Sequence, residues 1–390
     1  MLTSPDYAPR LRRGLAAQPD RNGFVLFDQR RAGDPVHLSA TALELVKLFD
    51  GSVTLGELAN ATGLAVADIG ALVSGLDEAL LLDGPSWQAK ISAPVREPSC
   101  IGVYPDDAEG TRRLVRSLFV GKGGAGWLAA DALAVGSRLT GERLRAVLVP
   151  HMDYARGNVT YGHGFRPLFE GTAAKLFVVV GTSHYSPAPF TLSRQNFSTS
   201  LGVVETDRPF IDRVVAHFGD GLFDDPAAHA PEHSIELELP FLQLLAEARG
   251  EPIRIVPLLV GPVNDDIPRM AEALAKAEAA AGEPVCYVIS GDLAHIGPKF
   301  DDPEPVNETQ LKASREQDEK LLKCLENADA AGYSKVIEDE DDARRICGHS
   351  PTVLTLLAAK PARGRVTHYQ QYAHPQGSES VSFAAAAFYG

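Results

Sequence analysis

Three apolar runs in this chain end in side chains that carry protons or bind metals. "LRAVLVP" is followed by His151, with Asp153 and Tyr154 close behind. "LFVVVGTS" is followed by His184, and "VCYVISGDLA" carries Asp292 and leads into His295. Imidazole and carboxylate are the side chains of acid/base work and of divalent-metal ligation, and two histidines with one carboxylate suit Fe(II). In an open α/β sheet, ligands bind beyond the carboxyl ends of the strands, where loops present side chains without disturbing the core. A lone histidine at such a place reads as a polar loop residue; three at the same kind of place point to a shared site. His151, His184, Asp292 and His295 are the candidate residues of that site. His233, in "HAPEHSIELELP", precedes an amphipathic helix, with Glu232 beside it and Glu236 in the first turn, where the helix dipole favours carboxylates. It is the better functional candidate of this stretch, whereas His229 reads as a solvated loop residue and Glu236 as a helix-end group. Tyr154 reads as either a pocket residue donating to a substrate oxygen or a core residue. Cys347, in "RICGHSP", reads as a small buried hydrophobe or a thiol for chemistry, and His163 as a capping or packing residue.

Rigid elements must hold such side chains. "LRAVLV", "KLFVVVGT", "IRIVPLLVG" and "VCYVIS" are apolar without alternation, so they predict strands covered on both faces, with helical stretches such as "PRMAEALAKAEAAA" between them. The fold class is α/β, a central, mostly parallel sheet covered by helices. The first ninety or so residues differ. "GFVLFD" predicts a strand, Leu38 and Ser39 a staple and N-cap, and "ATALELVKLFDG", "TLGELANATG" and residues 66–82 three helices. That is a small winged-helix-like domain over 1–94, ahead of a larger one over 95–390. Its third helix holds Asp68, Asp77 and Glu78 and no Lys or Arg, which argues against DNA recognition. "DDPEPVNETQ" and "EDEDDARR" read as solvated acidic stretches.

The composition narrows the functional class. A 390-residue chain at 45% hydrophobic is long enough for two domains with cores, and a formal net charge of −14 offers no basic footprint for nucleic acid or an anionic membrane. No apolar run reaches membrane-spanning length and the N-terminus lacks the apolar core of a signal peptide, so the chain reads as cytoplasmic. The four cysteines are far apart and form no CxxC pair, which indicates reduced thiols rather than a disulfide framework or zinc ribbon. Walker A, GxSxG and HExxH sequences are missing, and "GKGGAG" at 121–126, which has GxGxxG spacing, reads as a short flexible loop. The chemistry this leaves is metal-based.

"PHMDYARGNVTYGHGF", "VVGTSHYSP", "EHSIELELPFLQ", "PLLVG", "ISGDLAHIG" and "RICGHSPTVLTLLAAK" occur in the order seen in the Memo family, which the chain resembles over about 95–390. The resemblance implies the fold of the class III extradiol dioxygenases, with His151 and His184 as metal-site histidines, iron as the metal with copper as the alternative, and His233 as the third pocket histidine, placed for acid/base work. Eukaryotic Memo proteins carry a cysteine before the histidine of the D-x-x-H segment; Ala294 stands there, which leaves Asp292 and His295 open as the third ligand. Cys347 also matches a family position. The resemblance further implies radical-SAM and AMMECR-type protein partners, and "LSATALELVKLFDGSVTLGELA" is similar to PqqD-like domains that dock peptides by strand addition. The expectation is a metal-dependent oxidoreductase, dioxygenase-like, acting on a small molecule or peptide. The alternative is a non-catalytic metal- or peptide-binding scaffold serving a radical-SAM partner system.

Overall fold

The four β-branched runs form neighbouring parallel strands. In the computed structural model, which describes residues 1–127 and 142–390, they lie in the order Leu144–Val149, Val285–Ser290, Leu176–Thr182, Arg254–Val260. Every residue of Val285–Ser290 is buried, as a strand sandwiched between helix layers requires. Ser380–Tyr389 extends the sheet antiparallel to Leu144–Val149 and forms a long hairpin with Arg363–Ala373; the short strand His295–Ile296 pairs with its first residues. Beyond Arg254–Val260, Gly202–Thr206 adds a parallel partner, followed by Asn196–Thr199.

One helix layer contains Arg208–Phe218, Ile267–Ala279, Ala330–Glu338 and His349–Ala359, whose buried residues share a core with the strands. The other is aromatic. Val159–Gly171 packs on Leu144–Val149 and against Ala108–Val120 and Leu239–Arg249, and Phe165 stacks face to face on Phe241 with ring centroids 4.4 Å apart. Two glycines permit this approach. A Cβ at Gly162 would meet the Leu118 carbonyl at 2.5 Å, and one at Gly164 would meet a Val149 methyl at 2.5 Å. Helix and strand are thereby locked next to the segment that carries His151.

The described residues divide into two compact units, Met1–Arg96 with Pro226–Pro231, and Glu97–Asp225 with Glu232–Gly390. The first contains a small antiparallel sheet, Leu15–Asp20, Gly23–Asp28 and Val36–Leu38, and a core that includes Leu26, Phe49, Leu55, Val73 and Leu81. Ser39 caps Ala40–Val46, and Thr54 and Glu57 form a capping box on Leu55–Thr62. The third helix runs Val66–Glu78 and stops short of Leu82, because Leu80 takes φ +60° and turns Leu81 and Leu82 into the core as extended chain. Leu15–Asp20 is a strand that its sequence, "LAAQPD", does not announce: its exposed residues and Pro19 fit an edge position. Among the described residues, no helix is long and apolar enough to cross a membrane.

Candidate metal centre

His151 follows the end of Leu144–Val149 by one proline and is buried. Its backbone N–H donates to Asp292 Oδ1 at 3.2 Å, so two neighbouring strand exits are tied together. Its Nδ1 faces Ser290 Oγ at 3.4 Å, while Nε2 lies 3.2 Å from Cys347 Sγ and 3.8 Å from Asp292 Oδ2. The His184 and His233 rings complete the cluster, with centroids 5.0 and 5.2 Å from that of His151 and 4.6 Å from each other.

Glu232 holds the latter two histidines. It caps the short helix His233–Glu236, with Oε1 accepting the N–H groups of His233 (3.0 Å) and Ser234 (3.1 Å). The same oxygen lies 2.9 Å from His184 Nδ1 and 3.2 Å from His233 Nδ1, and Oε2 accepts the His184 N–H at 2.7 Å. Gly181 makes room for this helix, since a Cβ there would sit 2.5 Å from Ser234 Oγ. A second glycine pair sets Cys347. A Cβ on Gly291 would meet Gly348 Cα at 2.5 Å, Gly348 N–H donates to the Asp292 carbonyl at 2.9 Å, and Thr182 Oγ1 donates to the Cys347 carbonyl at 2.8 Å.

Burial dominates the proton equilibria. It drives His151 well below its ordinary 6.5, helped by the neighbouring His184 and His233, and brings His233 and His295 to about 4. It lifts Asp292 to about 7 against the pull of the His151 N–H, and raises the Cys347 thiol well above its usual range, with Asp292 adding to the effect. Burial would also raise Glu232, but the His184 hydrogen bond and the adjacent imidazoles outweigh it and hold that carboxyl at about 2. His151 and His233 are thus uncharged imidazoles, and Glu232 is a fixed carboxylate behind the cluster.

The residues predicted from sequence fall into distinct places. His151, His184 and His233 offer ligand atoms that all lie within 4.8 Å of one another, and so do His151, Asp292 and Cys347. Among the described residues, His295 belongs to neither set; its Nδ1 donates to the carbonyls of Leu293 (3.1 Å) and Arg345 (3.0 Å). The Tyr154 hydroxyl donates to the Leu237 carbonyl at 2.5 Å inside the aromatic layer, and that hydrogen is therefore not free for a substrate oxygen. His229, read as a solvated loop residue, is 2% exposed. Glu236, read as a helix-end group, is buried and accepts from Ser99, Cys100 and Tyr104. His163 stacks on His368 at 4.6 Å. The sequence alone assigns Glu232 no role and leaves Cys347 as either a small buried hydrophobe or a thiol for chemistry. The signal for Glu232 is its place directly before His233; the signal for Cys347 is the "RICGHSP" stretch that matches a family position, because its contact with His151 spans 196 positions of sequence.

Residues 96–388 match the family described as Memo-like protein. The chain belongs to the Memo family. MEMO1 family proteins of Methanopyrus kandleri (28% identity over 302 residues, 75% of this chain and 98% of the relative) and Methanobrevibacter smithii (26% over 275 residues, 68% and 88%) are similar to it. The MEMO1 family protein of Aquifex aeolicus is 24% identical over 393 residues, covering 95% of this chain and 97% of its own length, so that alignment runs well into the first unit. In this Memo protein the donor chemistry fits a metal ion. Three imidazoles stand together, a carboxyl and a thiol stand beside His151, and both sets lie beyond the ends of rigid strands.

Proposed function

We propose that this Memo protein is a metal-dependent oxidoreductase, dioxygenase-like in chemistry, with Fe(II) as its metal and copper as the alternative. The observation that supports it best is the convergence of His151, His184 and His233 with Asp292 and Cys347 in two donor sets sharing His151. His151 and His184 hold the ion, and the third donor is Asp292 or Cys347, with His295 further removed. Bound there, the ion supplies Lewis acidity and a redox couple.

The remaining roles belong to side chains already in place. His233 is uncharged near neutrality and its Nδ1 lies 3.2 Å from a Glu232 oxygen, so Nε2 is the nitrogen that accepts and returns a proton. The substrate class is a small molecule or a peptide, the first unit is a PqqD-like docking module, and a radical-SAM enzyme and an AMMECR-type protein are its proposed partners in the cytoplasm.

Anaerobic purification followed by elemental analysis tests this reading. Stoichiometric iron or copper, lost in His151→Ala and in His184→Ala, is the expected result. Failure to retain any metal under any loading condition would leave the competing reading, a peptide-binding scaffold serving the same partner system.

A further inference from the structure

Glu232 sits behind two of the three histidines at once. Its Oε1 lies 2.9 Å from His184 Nδ1 and 3.2 Å from His233 Nδ1, and the same oxygen takes the His233 and Ser234 backbone N–H groups. A carboxylate can only accept, so His184 Nδ1, hydrogen-bonded to it, carries the hydrogen, and at 3.2 Å the same oxygen favours the hydrogen on Nδ1 of His233, which it meets as an ion-pair contact; in both rings Nε2 is then the nitrogen left for other partners. The backbone hydrogen bonds matter equally. They fix the carboxylate against the N-terminus of His233–Glu236 and against the chain at His184, so the acceptor does not move to suit either ring. His151 is anchored separately, through Ser290 Oγ.

We propose that Glu232 is a shared positioning carboxylate, one group that sets the tautomer and ring orientation of both His184 and His233 so that their Nε2 atoms face His151. The geometry stands by itself; its consequence for metal uptake rests on the function proposed above. A ligand histidine usually donates its second nitrogen to a carboxylate or carbonyl of its own, and removing that partner costs 10–100-fold in metal affinity. Here one carboxylate serves the ligand and the proton carrier together. Disturbing it therefore changes both, and the two rings respond as a pair.

The test begins without metal. In the ¹⁵N-histidine-labelled, metal-free protein at neutral pH, His184 and His233 both show the Nδ1–H tautomer, read from their imidazole nitrogen shifts. An Nε2–H tautomer at either one overturns the proposal, whatever the fate of any variant. In Glu232→Gln, an isosteric change that removes the charge, both sets of shifts move while those of His151 stay in place. Affinity for cobalt(II), used alone as the probe, falls about 10–100-fold, and Glu232→Asp recovers part of it. Unmoved His184 and His233 shifts in a folded Glu232→Gln, or movement of only one of them, would overturn the shared role. The expected tautomers together with no cobalt uptake by the wild-type protein would remove the metal reading and leave this inference standing.

Discussion

At the residue scale the centre is a competition among donors for one ion, with His151 common to both sets. His151→Ala removes a member of each, so metal content should fall to a small fraction of wild type, and His184→Ala should do the same because few protein donors remain to compensate. The third donor is decided by two conservative changes. Asp292→Asn keeps the acceptor for the His151 N–H through its carbonyl, and Cys347→Ser keeps the volume near His151 Nε2. We expect the larger loss of iron from Asp292→Asn, because a hard carboxylate suits Fe(II), and the larger loss of copper from Cys347→Ser, because a thiolate suits Cu(I). Equal retention of both metals by both variants would mean that neither side chain is a ligand. His295 allows a check without metal. Burial holds its folded-state value at about 4 against an ordinary 6.5, so between those values the unfolded chain binds a proton that the folded chain does not. Its contribution to stability is therefore present above pH 6.5 and lost as pH falls toward 4. Thermal midpoints of metal-free His295→Gln measured from pH 7 to 5 should decline less steeply than those of wild type; parallel curves would show that His295 is not held uncharged.

Elements deliver these side chains, and much of the delivery was legible in sequence. Four unbroken apolar runs announced a buried parallel sheet, and the polar residues just past them marked its functional edge, because strands buried on both faces leave side chains free only at their ends. The turn that brings Cys347 to His151 was not legible. "EDEDDARR" read as solvated charge, and most of it is, yet Arg344 lies buried between Asp318 and Glu340, and its own carbonyl and that of Arg345 receive the N–H and Nδ1 of His295. Asp341, Asp342 and Arg345 take positive φ in the same turn, a conformation that tertiary hydrogen bonds sustain and local propensity opposes. Arg344→Met should cost about 3–5 kcal/mol, since it strands the buried Asp318 carboxylate. Urea unfolding measures the loss, and Arg344→Met/Asp318→Leu should regain part of it. A neutral single variant would mean that the ion pair does not hold the turn. Gly348→Ala probes the same turn from the other end. Its Cβ would lie 2.7 Å from the Asp292 carbonyl, a backbone atom that cannot swing aside, so Cys347 should shift and metal content fall.

At the scale of the whole molecule the first unit is not contiguous in sequence: Met1–Arg96 is joined in it by Pro226–Pro231. Within it Arg96 donates to the carbonyls of His229 (2.7 Å) and Ala230 (3.1 Å), and Ala227 packs with Ala32 and Trp87. No local pattern in "PAAHAP" could have disclosed this, because the partners of these residues lie more than a hundred positions away. The next residue in the chain is Glu232. Deleting Met1–Arg96 strips 226–231 of those partners, and the segment becomes a tether whose disorder passes directly to the carboxylate behind His184 and His233. The remaining chain, 97–390, should still fold, since its main core is formed by its own strands and helices. Its metal affinity should nevertheless drop by about tenfold or more, the range expected when the groups that orient ligands are loosened. Arg96→Met in the full chain removes the two carbonyl contacts and keeps the rest, so it should fall between the two. Far-UV circular dichroism confirms folding and cobalt(II) titration reads the affinity. A folded 97–390 that binds cobalt as tightly as the full chain would show that Glu232 needs no support from the segment preceding it.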